Sequence, residues 1–259
     1  MKKLFFILCI FFFTSSFTTE FDWGKNGHRA TGEIAEKHLT EKAKKAIDKL
    51  LEGHGLAYVS TFGDEIKSDP AYDKYGPWHY VNLEEGQSEY TPSTASPAGD
   101  LVFGIRKCIA VLKDRSASKE EKQFHLKMLV HFLGDLHQPL HTGREADLGG
   151  NAIDVTWFGE RSNLHRVWDS EMIDGYQMSY TELAANADEL SKKEINRITS
   201  GDLLDWMYES KALSKKVYAS VEEDKDLGYR YMYIWFPVVH DQIQKGGIRL
   251  ATILNDIFD

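Results

Sequence analysis

His131 and Asp135 stand four residues apart in a helix-patterned stretch, so both side chains leave one face of a helix. Pro139 should end that helix and turn the chain back, which lets His141 approach the same region. The spacing recurs at His165 and Asp169, and His28, Asp64 and His79 add further nitrogen and oxygen donors. Imidazoles and carboxylates gathered from several segments are ligands for divalent cations. No thiolate stands among them, so zinc, manganese and iron all suit the set. A lone histidine in a helical protein is usually a packed structural residue. Two His-x3-Asp pairs together with His141 and Trp78-His79-Tyr80 point instead to a metal cluster between helices.

The elements that must position these residues are helical. Apolar residues recur at helical spacing over residues 31–51, with Gly53 as a stop, and over 97–112, 119–138, 201–221 and 227–259. Residues 72–82 and 90–97 read as loops, rich in Gly, Pro and aromatics. The run 149–159 is the one β signal, a short strand pair. The expectation is an all-α, single-domain helical bundle with the metal cluster between its helices and at most a short β-hairpin. His38 and His54 are expected to face solvent. His125 and His137 lie round the helix from the ligand face, and His240 is expected to be a core histidine bonded to a neighbour. Trp157 and Trp168 are expected in the core.

Residues 1–22 read as a signal peptide: Lys2 and Lys3, an apolar core from Leu4 to Phe13, then a short polar run. The apolar part is too short for a comfortable membrane span. The folded domain is then 23–259, outside the cytoplasm (secreted or periplasmic) and with no stable membrane association. Glu20, Phe21 and Asp22 lack the small residues a signal peptidase prefers, and Thr14-Ser15-Ser16 is a second candidate cut. Only Cys108 remains after processing, which excludes an intrachain disulfide and leaves stability to packing and metal. The formal net charge of −9 excludes a broad electrostatic clamp for duplex DNA.

Read in order, Trp23-x4-His28, Asp64-x2-Lys67, Trp78-His79-Tyr80, His131-x3-Asp135-x5-His141, Gly149-Gly150-Asn151 and Asn163-Leu164-His165-x3-Asp169 form one signature. It resembles the zinc-dependent single-strand-specific nucleases, or nuclease/3′-nucleotidases, of fungi and plants. The final helix resembles that family's ending, so the likeness covers the whole mature chain. The resemblance implies a phospholipase C/nuclease-like helical fold and three zinc ions. Asp64, His79 and His131 would hold one, with Asp135 bridging to a second held by His28 and the main-chain amine and carbonyl of Trp23. His141, His165 and Asp169 would hold the third. Two close cations lower the pKa of a water between them, and a third neutralises charge on the phosphate and leaving oxygen. The resemblance implies that Asp64 orients the attacking water, Lys67 stabilises the pentacovalent phosphorus, and the products carry 5′ phosphates. Tyr80 would stack a base while Asn82 and Asn151 bond its edge. A pocket for one unstacked base favours single-stranded DNA and RNA, because duplex bases must first be flipped out. 3′-Nucleotides are further implied substrates; no protein partner is implied, and a monomer is expected. Two alternatives stay open: a zinc-dependent phospholipase C, whose pattern ends in His-x3-Glu where this chain has Asp169, and a non-catalytic periplasmic zinc-binding protein.

Overall fold

Side-chain caps decide where the helices begin. The structure, a computed structural model, describes residues 24–83, 87, 89–91 and 97–259; residues 1–22 and Trp23 lie outside the described residues. The first helix, α1 (Lys25–Lys37), and the second, α2 (Glu41–Leu50), replace the single helix expected over 31–51. Thr40 interrupts it: its hydroxyl accepts from Ala43 N at 3.1 Å, an N-cap, while its own N donates to Asn255 Oδ1 at 2.9 Å. Gly53 follows the second helix with φ 85°, where a side chain would be strained, so the expected stop is there.

Two single turns, α3 (Leu56–Val59) and α4 (Phe62–Glu65), lead into 3-10 turns over Ile66–Ser68 and Pro70–His79. The second of these turns replaces most of the loop expected over 72–82. Pro70 takes the first helical position, where no N–H is needed, and Asp69 caps Ala71 N at 3.0 Å. Then come α5 (Leu101–Lys113), capped by Asp100, and α6 (Lys119–His137). The latter opens with a capping box: Ser118 Oγ accepts from Glu121 N, and Glu121 accepts from Ser118 N. Pro139 starts a 3-10 turn, Pro139–Thr142, that ends the helix as expected.

The strand pair β1 (Asp154–Trp157) and β2 (Glu160–Asn163) is antiparallel, with Trp157 opposite Glu160. Phe158 and Gly159 both have positive φ, which a two-residue hairpin turn of matching twist demands. The chain continues through α7 (Leu164–Arg166), a π turn over Val167–Glu171 and α8 (Met172–Gly175). Short helices α9 (Tyr180–Ala185) and α10 (Lys192–Ile198) precede α11 (Leu203–Ala219). The strand pair expected within 149–159 is thus shifted to 154–163, and Asp226–Leu227 form β3, which pairs parallel to β1 and gives three strands in the order β2-β1-β3. The long α12 (Tyr229–Phe258) closes the fold and packs on α1, α6 and α2.

Two apolar clusters flank the centre. One joins Leu101, Ile105, Leu129, Phe132 and Leu133 to Trp78; the other gathers Trp168, Met172, Val217 and Ile243. Each fully buried Leu or Ile stabilises by roughly 1.5–3 kcal/mol relative to exposure. The boundary between clusters runs between Ile34 and Ala35 on α1 and between Leu136 and Leu140 after α6. Residues 128–137 of α6 are buried all round, so this half of the helix can carry polar side chains into the interior. Trp157 and Trp168 are core residues, and His240 bonds the Leu183 carbonyl at 2.8 Å, both as expected.

Candidate metal centre

Six separate segments bring the ligand-type side chains together. His28 comes from α1, Asp64 from α4, His79 from the end of a 3-10 turn, and His131 with Asp135 from one face of α6. His141 sits in the turn after Pro139, and His165 with Asp169 follow the hairpin. They form three groups with donor atoms within 4.8 Å: His28, His131, Asp135; Asp64, His79, His131; and His141, His165, Asp169. His131 Nε2 lies 3.2 Å from Asp64 Oδ1, 3.3 Å from Asp135 Oδ2 and 3.1 Å from His79 Nδ1. Asp135 turns Oδ2 to His79 at 3.0 Å and Oδ1 to His28 Nε2 at 3.5 Å, the disposition of a carboxylate that can bridge two cations. His141 Nε2 lies 3.5 Å from Asp169 Oδ1.

Main-chain carbonyls orient three of the rings. His131 Nδ1 donates to Ser60 O, His141 Nδ1 to His79 O and His165 Nδ1 to Gly149 O, each at 2.7 Å. A proton fixed on Nδ1 leaves Nε2 as the lone-pair nitrogen, the tautomer a metal ligand needs. Gln138, which sequence reasoning missed, donates Nε2 to Asp169 Oδ1 at 3.1 Å and accepts from Leu140 N at 2.6 Å. Its place between Asp135 and Pro139 was the available signal. Two glycines supply room. A Cβ on Gly63 would lie 2.5 Å from His131 Cδ2, and one on Gly134 would lie 2.5 Å from His28 Nδ1.

The charges suit a cation. Burial holds His79 down to about 4 and His165 down to about 3, and it lowers His28 as well, so all three imidazoles are neutral ligands near pH 7. Burial opposes ionisation of Asp135 and Asp64, but the adjacent His131 outweighs it and holds both carboxyls well below their usual range. His131 is correspondingly raised, burial being outweighed by Asp135 and Asp64. Burial also lifts Asp169 to about 6. Asp135 Oδ1 and Asp169 Oδ2 are buried and accept no hydrogen bond among the described residues. Buried, anionic and unsatisfied oxygens beside the neutral imidazoles of His28, His79 and His165 fit divalent cations, and a cation would displace the Nε2 proton that Asp64 and Asp135 hold on His131.

The other expected site residues are placed as follows. Lys67 Nζ stands 3.3 Å from Asp64 Oδ1. Asp64 and Lys67 side chains are 26% and 28% exposed, whereas Asp135 and Asp169 are sealed, so this pair forms the open edge of the centre. Tyr80 is exposed beside buried His79, and the half-buried Asn82 keeps its Oδ1 buried with no hydrogen-bond partner among the described residues. The Asn151 amide instead donates to Leu148 O at 2.9 Å within its own turn, on the solvent side. Trp23 lies outside the described residues; its neighbour Gly24 donates to the Asp169 carbonyl at 2.5 Å.

The chain is similar to known proteins over most of its length. The family model described as S1/P1 Nuclease matches residues 23–259. Endonuclease 2 of Arabidopsis thaliana is 30% identical over 269 residues, 91% of this chain and 90% of that protein. Endonuclease 3 of the same plant is 33% identical over 262 residues, 91% and 89% of the two chains. Nuclease P1 of Penicillium citrinum is 27% identical over 271 residues, covering 91% and 97%.

Proposed function

This chain belongs to the S1/P1 nuclease family and is a phosphodiesterase acting on nucleic acid; we propose that it is a secreted, zinc-dependent endonuclease specific for single strands of DNA and RNA. The observation that carries the reading is the convergence of three His/Asp groups with Asp135 between two of them. Zinc in such a cradle supplies a water-derived nucleophile near neutral pH and neutralises charge on phosphate. His28, His79 and His131 with Asp64 and Asp135 hold two of the three ions, and His141, His165 and Asp169 hold the third. The main-chain amine and carbonyl of Trp23 complete the His28 site once residues 1–22 are removed as a leader.

The rest is done by this chain's own groups. Asp64, at the open edge, orients the attacking water while it also binds metal. Lys67 beside it meets the incoming phosphate and offsets the charge that builds on phosphorus oxygens. Tyr80 offers a flat face to one unstacked base, and Asn82 Oδ1, an acceptor without a partner among the described residues, suits an N–H on that base's edge. Asn151 reads the edge as well after its amide leaves Leu148 O. Products carry 5′ phosphates, and 3′-nucleotides lose their phosphate at the same centre. The protein acts as a monomer.

Asp64→Asn tests the reading. Loss of an oriented general base lowers single-strand hydrolysis by about a hundredfold or more, with the melting curve intact. Metal analysis of natively purified protein is expected to give three zinc ions per chain. Full activity of the variant removes Asp64 from the mechanism. Digestion unchanged in excess chelator, in material free of transition metal, overturns the reading altogether.

A further inference from the structure

The ligand-bearing face of α6 does not stop at His131. Lys127 lies one turn before it and Phe124 two turns before, about 10 Å away along the axis. Lys127 Nζ sits 4.9 Å from the centre of the Phe62 ring, and Phe62 is two residues from Asp64. Phe124 meets Phe62 edge-on at 5.7 Å, stacks with Tyr72 at 6.0 Å and leans on Tyr75 at 5.1 Å. All four rings keep part of their surface in solvent. Tyr75 in turn meets Trp78 at 4.9 Å, directly before ligand His79. There the strip opens into a groove of about 440 Å³ lined by Lys74, Tyr75, Trp78, Lys107, Glu121 and His125. The Glu121 carboxylate is engaged by Ser118 N at 2.9 Å. Lysine ion pairs among the described residues fall on Lys67, Lys113, Lys119 and Lys245, not on Lys74, Lys107 or Lys127.

We propose that this strip, from Phe62 and Lys127 to the Lys74/Lys107 groove, is a binding track for the nucleic-acid strand flanking the scissile linkage. It rests on the nuclease reading and extends it beyond the nucleotide being cut. Half-exposed aromatic rings give bases a sequence-tolerant stacking surface, and lysines beside them take the phosphates. On a chain of net charge −9, such a local run of cations is what lets an anionic strand lie down.

The test is Lys74→Glu/Lys107→Glu, two exposed positions outside the metal centre, assayed on an oligothymidylate of about 20 nucleotides and on a thymidine dinucleotide. The expected result is a roughly three- to tenfold fall in kcat/KM on the oligomer with the dinucleotide unchanged. The log–log salt dependence of the oligomer's KM should become shallower by about 1.4, at about 0.7 per lost phosphate contact. Lys74→Gln/Lys107→Gln should move both readouts the same way by less. An unchanged ratio of oligomer to dinucleotide rates, or an equal fall on both substrates, overturns the track. Failure of the parent protein to cut either substrate would refute the nuclease reading instead.

Discussion

Gly134→Ala on α6 tests the packing of the centre with a single methyl group. The added Cβ would stand 2.5 Å from His28 Nδ1, whereas ordinary contact begins at 3.4 Å, so the ring must retreat by 3.4 − 2.5, about 0.9 Å. It has nowhere close to go: His28 is stacked on His131 with ring centres 3.9 Å apart and planes 16° from parallel. Metal–ligand distances tolerate about 0.2 Å. A shift several times larger removes His28 from its cation, and zinc affinity at that site should fall at least about 10–100-fold, the range for a disturbed ligand shell. The helix itself gains, since Ala is favoured over Gly in a helix interior by about 1 kcal/mol. Overpacking costs about 1–3 kcal/mol, which that gain partly offsets, so the variant should still fold in excess chelator while metal content and turnover drop. Zinc competition against a chelator of known affinity, read beside melting temperature in excess chelator, separates the two effects. Parental zinc affinity in a folded Gly134→Ala protein would show that His28 does not hold metal as described.

Chelator-treated protein should be acid-labile. His79, His165 and His137 have folded pKa values of about 4, 3 and 3, burial being the first cause in each, against about 6.5 unfolded. Their stabilisation is complete above pH 6.5 and is lost as pH falls towards the folded values, at about 1.4 kcal/mol per unit each. Asp169, raised to about 6, works the other way below pH 6, so the three histidines outweigh it and the net loss between pH 6 and 5 is on the order of 3 kcal/mol. Urea midpoints flat over that interval would contradict this assignment. Arg249→Met should cost about 3 kcal/mol, because buried Arg249 bonds Ile198 O and His137 Nε2, each at 2.9 Å, and Glu209. A change below about 0.5 kcal/mol in urea unfolding would mean the network is dispensable.

The family and most of the ligand set were legible because their signals are local. The step of four between His131 and Asp135 fixes a common helix face whatever the rest of the chain does. The β signal in 149–159 found β1 but missed β2, because Phe158 takes a positive φ in the turn that its residue type does not advertise. His165 and Asp169 were read by the same rule but are carried across a π turn, a single-turn widening of the kind frequent at functional sites. The break at Thr40 was hidden because Asn255, 215 residues away, secures it. The β3 strand was equally hidden, since two residues carry no periodicity.

Residue types and spacing therefore singled out the candidate ligands and placed His131 and Asp135 on one helix face. Tertiary structure alone decided how they meet: His28 stacked against His131, Asp135 facing both ways, and the carbonyls of Ser60, His79 and Gly149 choosing each ring's tautomer. The reason is that every residue owns a carbonyl, so no letter of the sequence marks the one that will turn inward. Only the path of the folded chain selects it.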